Sequence, residues 1–126
     1  VERSRGLGDV YKRQVDTLNQ FFMRWDWEEN KMSKGYWVVK ANIEDPEEYS
    51  KYIEKATLVV ANFNGNFLIR GGEQTDKENK GFDRTVVVEF CSYKEALDCY
   101  ESEEYQTALD HVKNSANRIF TVIEGI

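Results

Sequence analysis

The sequence predicts an α+β domain of order βαββαβ, a four-stranded antiparallel sheet with its helices on one face. Two observations carry this. Four short runs rich in β-branched and aromatic residues, at 36–43, 67–70, 85–91 and 119–123, alternate with two stretches whose apolar residues recur at helical spacing. The size fits one core: 126 residues, 40% hydrophobic, with a single Pro and no low-complexity run.

In the first strand Trp37, Val39, Ala41 and Ile43 fall on one face and Tyr36, Val38, Lys40 and Asn42 on the other. Asp45 as N-cap, Pro46 at the first helical position and Glu48 in capping-box position announce the first helix. Its stripe is Tyr49, Tyr52, Ile53, Ala56, Val60 and Phe63, and Asn64 with Gly65 supplies a left-handed stop. Residues 67–70 resume an extended pattern that Gly71 and Gly72 break, and the polar loop 73–83 is expected to be mobile. The run 85–91 is the most strand-like of all. Ser92 with Glu95 caps a second helix to about Tyr100, and Ser102 restarts it with Tyr105, Ala108, Leu109, Val112 and Ala116 as its stripe.

With 17 Lys and Arg against 23 Asp and Glu, the net charge is -6, and no basic cluster interleaved with aromatics is present, so no nucleic-acid partner is expected. The longest apolar runs, such as 86–88, are far short of a membrane span, which predicts a soluble, cytoplasmic protein with no membrane partner. Cys91 and Cys99 have neither C-x-x-C spacing nor a nearby His, so reduced, partly buried thiols are expected and no metal site.

Two helices can cover only one face of the sheet, yet both strand faces read as largely apolar. Val38, Leu68, Val87, Phe120 and Val122 are expected on the second face, which predicts a homodimer through the sheet faces. A ligand-bearing surface in a monomer is the alternative.

Gly35-Tyr36-Trp37, Asp45-Pro46 with Tyr49 and Tyr52, Phe67-Leu68 leading into Arg70-Gly71-Gly72, Arg84 before 86–88, Glu89-Phe90, and Tyr100-x-Ser102 before Glu104-Tyr105-Gln106 follow one another in a characteristic order. Together they resemble a small bacterial family, domain of unknown function 1330 (DUF1330). The resemblance covers 32–126 and implies a ferredoxin-like subunit of the dimeric alpha-beta barrel superfamily, with sheet order 4-1-3-2. Two departures stand out: Glu103 replaces a proline common before the Glu-Tyr-Gln, and the loop 73–81 is richer in charge and amide than the family's short turn. Family members begin near Met32, and 9–14, Asp-Val-Tyr-Lys-Arg-Gln, is similar to a translated sequencing-adapter end. Residues 1–31 are therefore expected to be a non-native or disordered leader; the alternative is an amphipathic arm carrying Leu18, Phe21, Phe22 and Trp25. Removing 1–31 leaves the net charge at -6, since six basic and six acidic residues go together.

Each strand carries one charged interruption, Lys40, Arg70, Glu89 and Glu124, and without bulges all four fall on the second face, as a polarised cavity or as ion pairs across a dimer. The candidate ligand-binding residues are Arg70, Glu89, Tyr36, Trp37, Tyr100 and Tyr105: aromatic walls, one cation for an anionic group and, in Glu89, the candidate catalytic base. The wider superfamily includes haem proteins that ligate iron through a helical histidine, but His111 falls on the polar side of its segment, so no cofactor is expected. The leading expectation is a homodimeric small-molecule-binding protein without an assigned reaction. The alternative is a cofactor-independent oxygenase or isomerase acting on a small aromatic or lactone-like acid, with Arg70 orienting it and Glu89 moving a proton.

Overall fold

The computed structural model describes residues 33–126. The expectations for 1–31, the adapter-like stretch at 9–14 among them, lie outside the described residues. In chain order the elements are β1 (Gly35–Ile43), α1 (Pro46–Asn62), β2 (Asn66–Arg70), β3 (Arg84–Phe90), α2 (Tyr93–Glu101), α3 (Glu103–Ala108) with a 3-10 turn at Leu109–His111, and β4 (Ala116–Glu124). The sheet runs β2-β3-β1-β4 with every pair antiparallel. That is the ferredoxin-like order 4-1-3-2 read from the other edge.

The helices start where side chains meet otherwise unpaired backbone donors. Asp45 Oδ1 accepts from the Glu48 N–H at 3.2 Å, and Ser92 Oγ accepts from the Glu95 N–H at 3.1 Å. The first capping box is only half formed: the Asp45 N–H goes to the Ser115 carbonyl at 3.0 Å, and the Glu48 carboxylate lies 2.6 Å from His111 Nδ1. Asn64 takes the left-handed conformation, φ 60°, that ends α1. Ser102 both breaks and restarts the second helical segment, donating to the Cys99 carbonyl at 2.8 Å while accepting from the Tyr105 N–H at 3.3 Å.

That segment ends earlier than its stripe suggests, because α3 stops at Ala108 and Ala116 opens β4 opposite Ile43. Ser115, fully buried, turns the chain: its hydroxyl donates to the His111 carbonyl at 2.5 Å, and its own carbonyl accepts the N–H groups of Glu44 and Asp45. The loop after β2 is pinned, since Asn42 accepts from the Asp83 N–H at 3.0 Å and Gln74 donates to the Phe82 carbonyl at 2.9 Å. The cysteines divide rather than sharing partial burial: Cys91 is exposed and Cys99 buried.

The core lies between the helices and one sheet face. Trp37, 2% exposed, sits at its centre with ring neighbours Phe90 and Tyr105 at 5.0 Å and Phe120 at 4.9 Å, its indole N–H donating to the Ala96 carbonyl at 2.9 Å. Gly35 permits this closeness, for a Cβ there would run into the backbone of Ser92 and Tyr93 at the start of α2.

Strand register corrects the expected second face. Phe120 stands opposite Val39 and Val122 opposite Trp37, so both point to the helices, and β4 presents Ile119, Thr121 and Ile123 to the other side. The apolar second face therefore exists, built from Val38, Val87, Ile69, Ile119 and Ile123, the last three 48%, 51% and 50% exposed. A bulge between Phe67 and Ile69 moves Arg70 opposite Val86, onto the helix side, and Glu124 stands opposite Gly35 at the sheet's end. Of the four interrupting charges only Lys40 and Glu89 remain on the second face, opposite Thr85 and Tyr36.

Candidate functional site

A cleft opens between α1 and the helix-side face of the sheet. Its apolar lining includes Trp37, Val39, Ile53, Val60, Phe67, Val86 and Val88, and its polar lining is Tyr49, Tyr52, Thr57, Arg70, Arg84 and Arg118. The volume of the cleft is about 40 Å³, enough for roughly three waters or one small polar head.

Strand register places the arginines. Arg84 from β3 and Arg118 from β4 both stand opposite Ala41 of β1, whose methyl leaves room between them. Arg118 Nη1 donates to the Tyr52 hydroxyl at 3.0 Å and lies 3.5 Å from that of Tyr49, and Nη2 lies 3.4 Å from the Tyr105 hydroxyl. Its guanidinium also lies 4.9 Å from the centre of the Tyr52 ring. The Tyr52 and Tyr105 hydroxyls are 2.6 Å apart, and burial raises the Tyr105 phenol far above its ordinary range, keeping it protonated. At the exposed mouth Arg70 donates to Thr57 Oγ1 at 2.6 Å, its guanidinium 4.0 Å above the Phe67 ring. Arg84 packs over Gly71, where φ is +72° and a Cβ would collide with the guanidinium.

Among the described residues, none of these three arginines pairs with a carboxylate, and the Arg84 Nε is buried without a hydrogen-bond partner. Among the same residues, no group of His, Cys, Asp or Glu is placed to hold a metal ion.

The six residues singled out from sequence divide between two sites. Arg70 lies at the mouth of the cleft; Trp37 is core and forms part of its wall; Tyr105 is fully buried and reaches the cleft only through Tyr52 and Arg118. Tyr100 is half-buried against Tyr105 and Phe120. Tyr36 and Glu89 sit on the second face, the tyrosine hydroxyl donating to Glu89 Oε2 at 3.0 Å, and this hydrogen bond raises the phenol pKa. Arg70 and Glu89 are thus not brought together within the chain. His111 is not free in solvent either, being 22% exposed and joined to Glu48.

Residues 34–126 match the family described as Domain of unknown function (DUF1330). The chain belongs to the DUF1330 family. A comparison with curated proteins finds no match. Among solved structures, this DUF1330 chain is similar to a protein of unknown function from Rhodopseudomonas palustris, with 11% identity, 80% of this chain and 89% of that one covered, and a TM-score of 0.64. It is also similar to a dimeric ferredoxin-like protein of unknown function from Thermobifida fusca, with 12% identity, coverage of 75% and 93%, and a TM-score of 0.52. The cofactor-independent oxygenase SnoaB from Streptomyces nogalater shares the fold at 9% identity, with coverage of 75% and 94% and a TM-score of 0.51. At such identities the likeness establishes the fold.

The stretch Arg70-Gly71-Gly72 has a physical reading: a mouth arginine followed by the glycine on which Arg84 rests. Sequence reasoning did not single out Arg84, Arg118 or Tyr52 as site residues. A signal was present in Arg118, a charge in β4 followed directly by Ile119 and Phe120.

Proposed function

We propose that this chain is a homodimeric small-molecule-binding protein that pairs through its second sheet face and holds its ligand in the cleft under α1. The observation that carries the pairing is the row of half-exposed aliphatic side chains on a face the described helices leave open. Covering one such side chain is worth about 1 kcal/mol, half of a full burial, so a self-complementary face of several stabilises a dimer. The ferredoxin-like neighbour from Thermobifida fusca, described as dimeric, agrees. A two-fold axis running across the strands would bring Lys40 over the partner's Glu89, relieving both charges as the face dries.

Native mass spectrometry and light scattering of the purified full chain test this. A dimer is expected, with Ile119→Glu shifting it to monomer at micromolar concentration while the far-ultraviolet spectrum stays unchanged. A folded wild-type monomer, or a dimer indifferent to Ile119→Glu, overturns the interface.

A second reading, a cofactor-independent oxygenase or isomerase acting on a small aromatic or lactone-like acid, draws on the Tyr52–Tyr105 hydroxyl pair at 2.6 Å, a candidate proton relay at the cleft wall. Among the described residues no carboxylate or imidazole lines that cleft, so the proton-moving role falls to a phenol and not to Glu89 of the same subunit. Turnover abolished by Tyr52→Phe and untouched by Glu89→Gln would establish it; loss of turnover in Glu89→Gln would return the base to the sheet face.

A further inference from the structure

We infer that the cleft is an oxyanion receptor: Arg84 and Arg118, with the Tyr52 hydroxyl, take the head of a small apolar molecule that carries a carboxylate or a phosphate ester. This rests on the cleft being the ligand site.

The first argument is charge. Among the described residues every ionised side chain lining the cleft is an arginine, in a chain whose net charge is -6, and none of the three is paired with a carboxylate. Withdrawing guanidinium groups from water without a counter-charge is costly, and an incoming anion removes that cost. The second is geometry. Arg84 and Arg118 occupy one row of the sheet on either side of Ala41, so their backbones are roughly 10 Å apart and both side chains reach the same space from opposite sides.

The third is proton counting. The Tyr52 oxygen accepts from Arg118, and fully buried Tyr105 has its hydroxyl 2.6 Å away. If Tyr105 donates to Tyr52, the Tyr52 proton is left for whatever occupies the cleft. The Arg84 Nε–H is a second buried donor, without a partner among the described residues. Among the described residues the cleft therefore offers unspent donors and no charged acceptor, the complement of an oxyanion. Val39, Ile53, Val86 and Val88 line the cleft beside them, an apolar surround that shields a bound head from water.

Titration calorimetry and arginine side-chain NMR on the full chain, with benzoate, phenyl phosphate and benzamide as probes, test the assignment. At least one anionic probe should bind tenfold or more tightly than neutral benzamide, shift the Arg84 Nε–Hε resonance, and lose that preference in Arg84→Met. Which anion prevails separates a carboxylate from a phosphate ester. Equal binding of all three in the cleft overturns the oxyanion assignment and leaves the ligand site standing, whereas no binding by any probe, or binding that moves only second-face resonances, removes both. Should Arg84→Met not fold, the wild-type affinities suffice: a tenfold preference for benzoate or phenyl phosphate over benzamide upholds the assignment, and a smaller one overturns it.

Discussion

Arg118 of β4 reaches under α1 to the phenol of Tyr52, its Nη1 3.0 Å from the hydroxyl oxygen, and so ties the edge strand of the sheet to the helix that roofs the cleft. Phenols are neutral partners, and they compensate a half-buried cation only in part. Arg118→Met should therefore leave stability within about 1 kcal/mol of wild type, or raise it, while weakening anion binding at least tenfold. Urea unfolding and calorimetry on one preparation check both halves. A loss above about 3 kcal/mol would show that Arg118 is chiefly structural.

Gly71 and Gly72 are neighbours with unequal duties. An alanine at 71 must hold φ near +72° and displace the Arg84 guanidinium, whereas a Cβ at 72 meets nothing within 4 Å. Gly71→Ala is expected to cost about 1–2 kcal/mol from backbone conformation alone and to lower anion affinity by moving Arg84. Gly72→Ala should stay within about 0.5 kcal/mol of wild type on both counts. Denaturation midpoints of the two variants provide the comparison, and equal effects would contradict the packing of Arg84 on Gly71.

The Glu48–His111 contact predicts an acid-sensitive link between α1 and the turn after α3. His111 first, then Lys51 at 3.3 Å, holds the Glu48 carboxyl below its ordinary value. A carboxylate depressed in the folded state contributes stability that is fully present above its unfolded pKa, about 4.3, and is lost as pH falls through the folded value. Glu48→Gln should therefore lower the Tm at pH 6, where the Glu48 carboxylate is charged, and the gap to wild type should close as the pH falls below 4 and that carboxylate is protonated. A gap that persists at pH 3 would mean that the glutamate acts through packing and not through its charge.

Much of the fold was legible because its determinants act over a few residues. Asp45, Ser92 and Ser102 each cap the helix they announce, Asn64 ends α1, and β1 alternates as written. Three features escaped for one reason each. Ile119, Phe120, Val122 and Ile123 are apolar on either parity, so hydrophobicity could not orient β4; packing did, by setting Phe120 4.9 Å from Trp37. The bulge beside Leu68 turned Arg70 toward the helices, and nothing local in 66–70 announces it. Glu48 left its capping-box role for a histidine 63 positions away.

The cleft was the least legible part, because its makers are scattered. Tyr52, Arg84 and Arg118 lie on three elements, and only the pairing of Arg84 and Arg118 with the same Ala41 puts them in one row. Residue order alone settled the element sequence, the capped helices and the presence of an apolar face in excess of what two helical segments cover. Folding decided which side of the sheet each charge occupies. The physical reason is the two-residue period of a strand: a one-residue change of register or a single bulge sends a side chain to the opposite face, and only contacts between distant elements select the register.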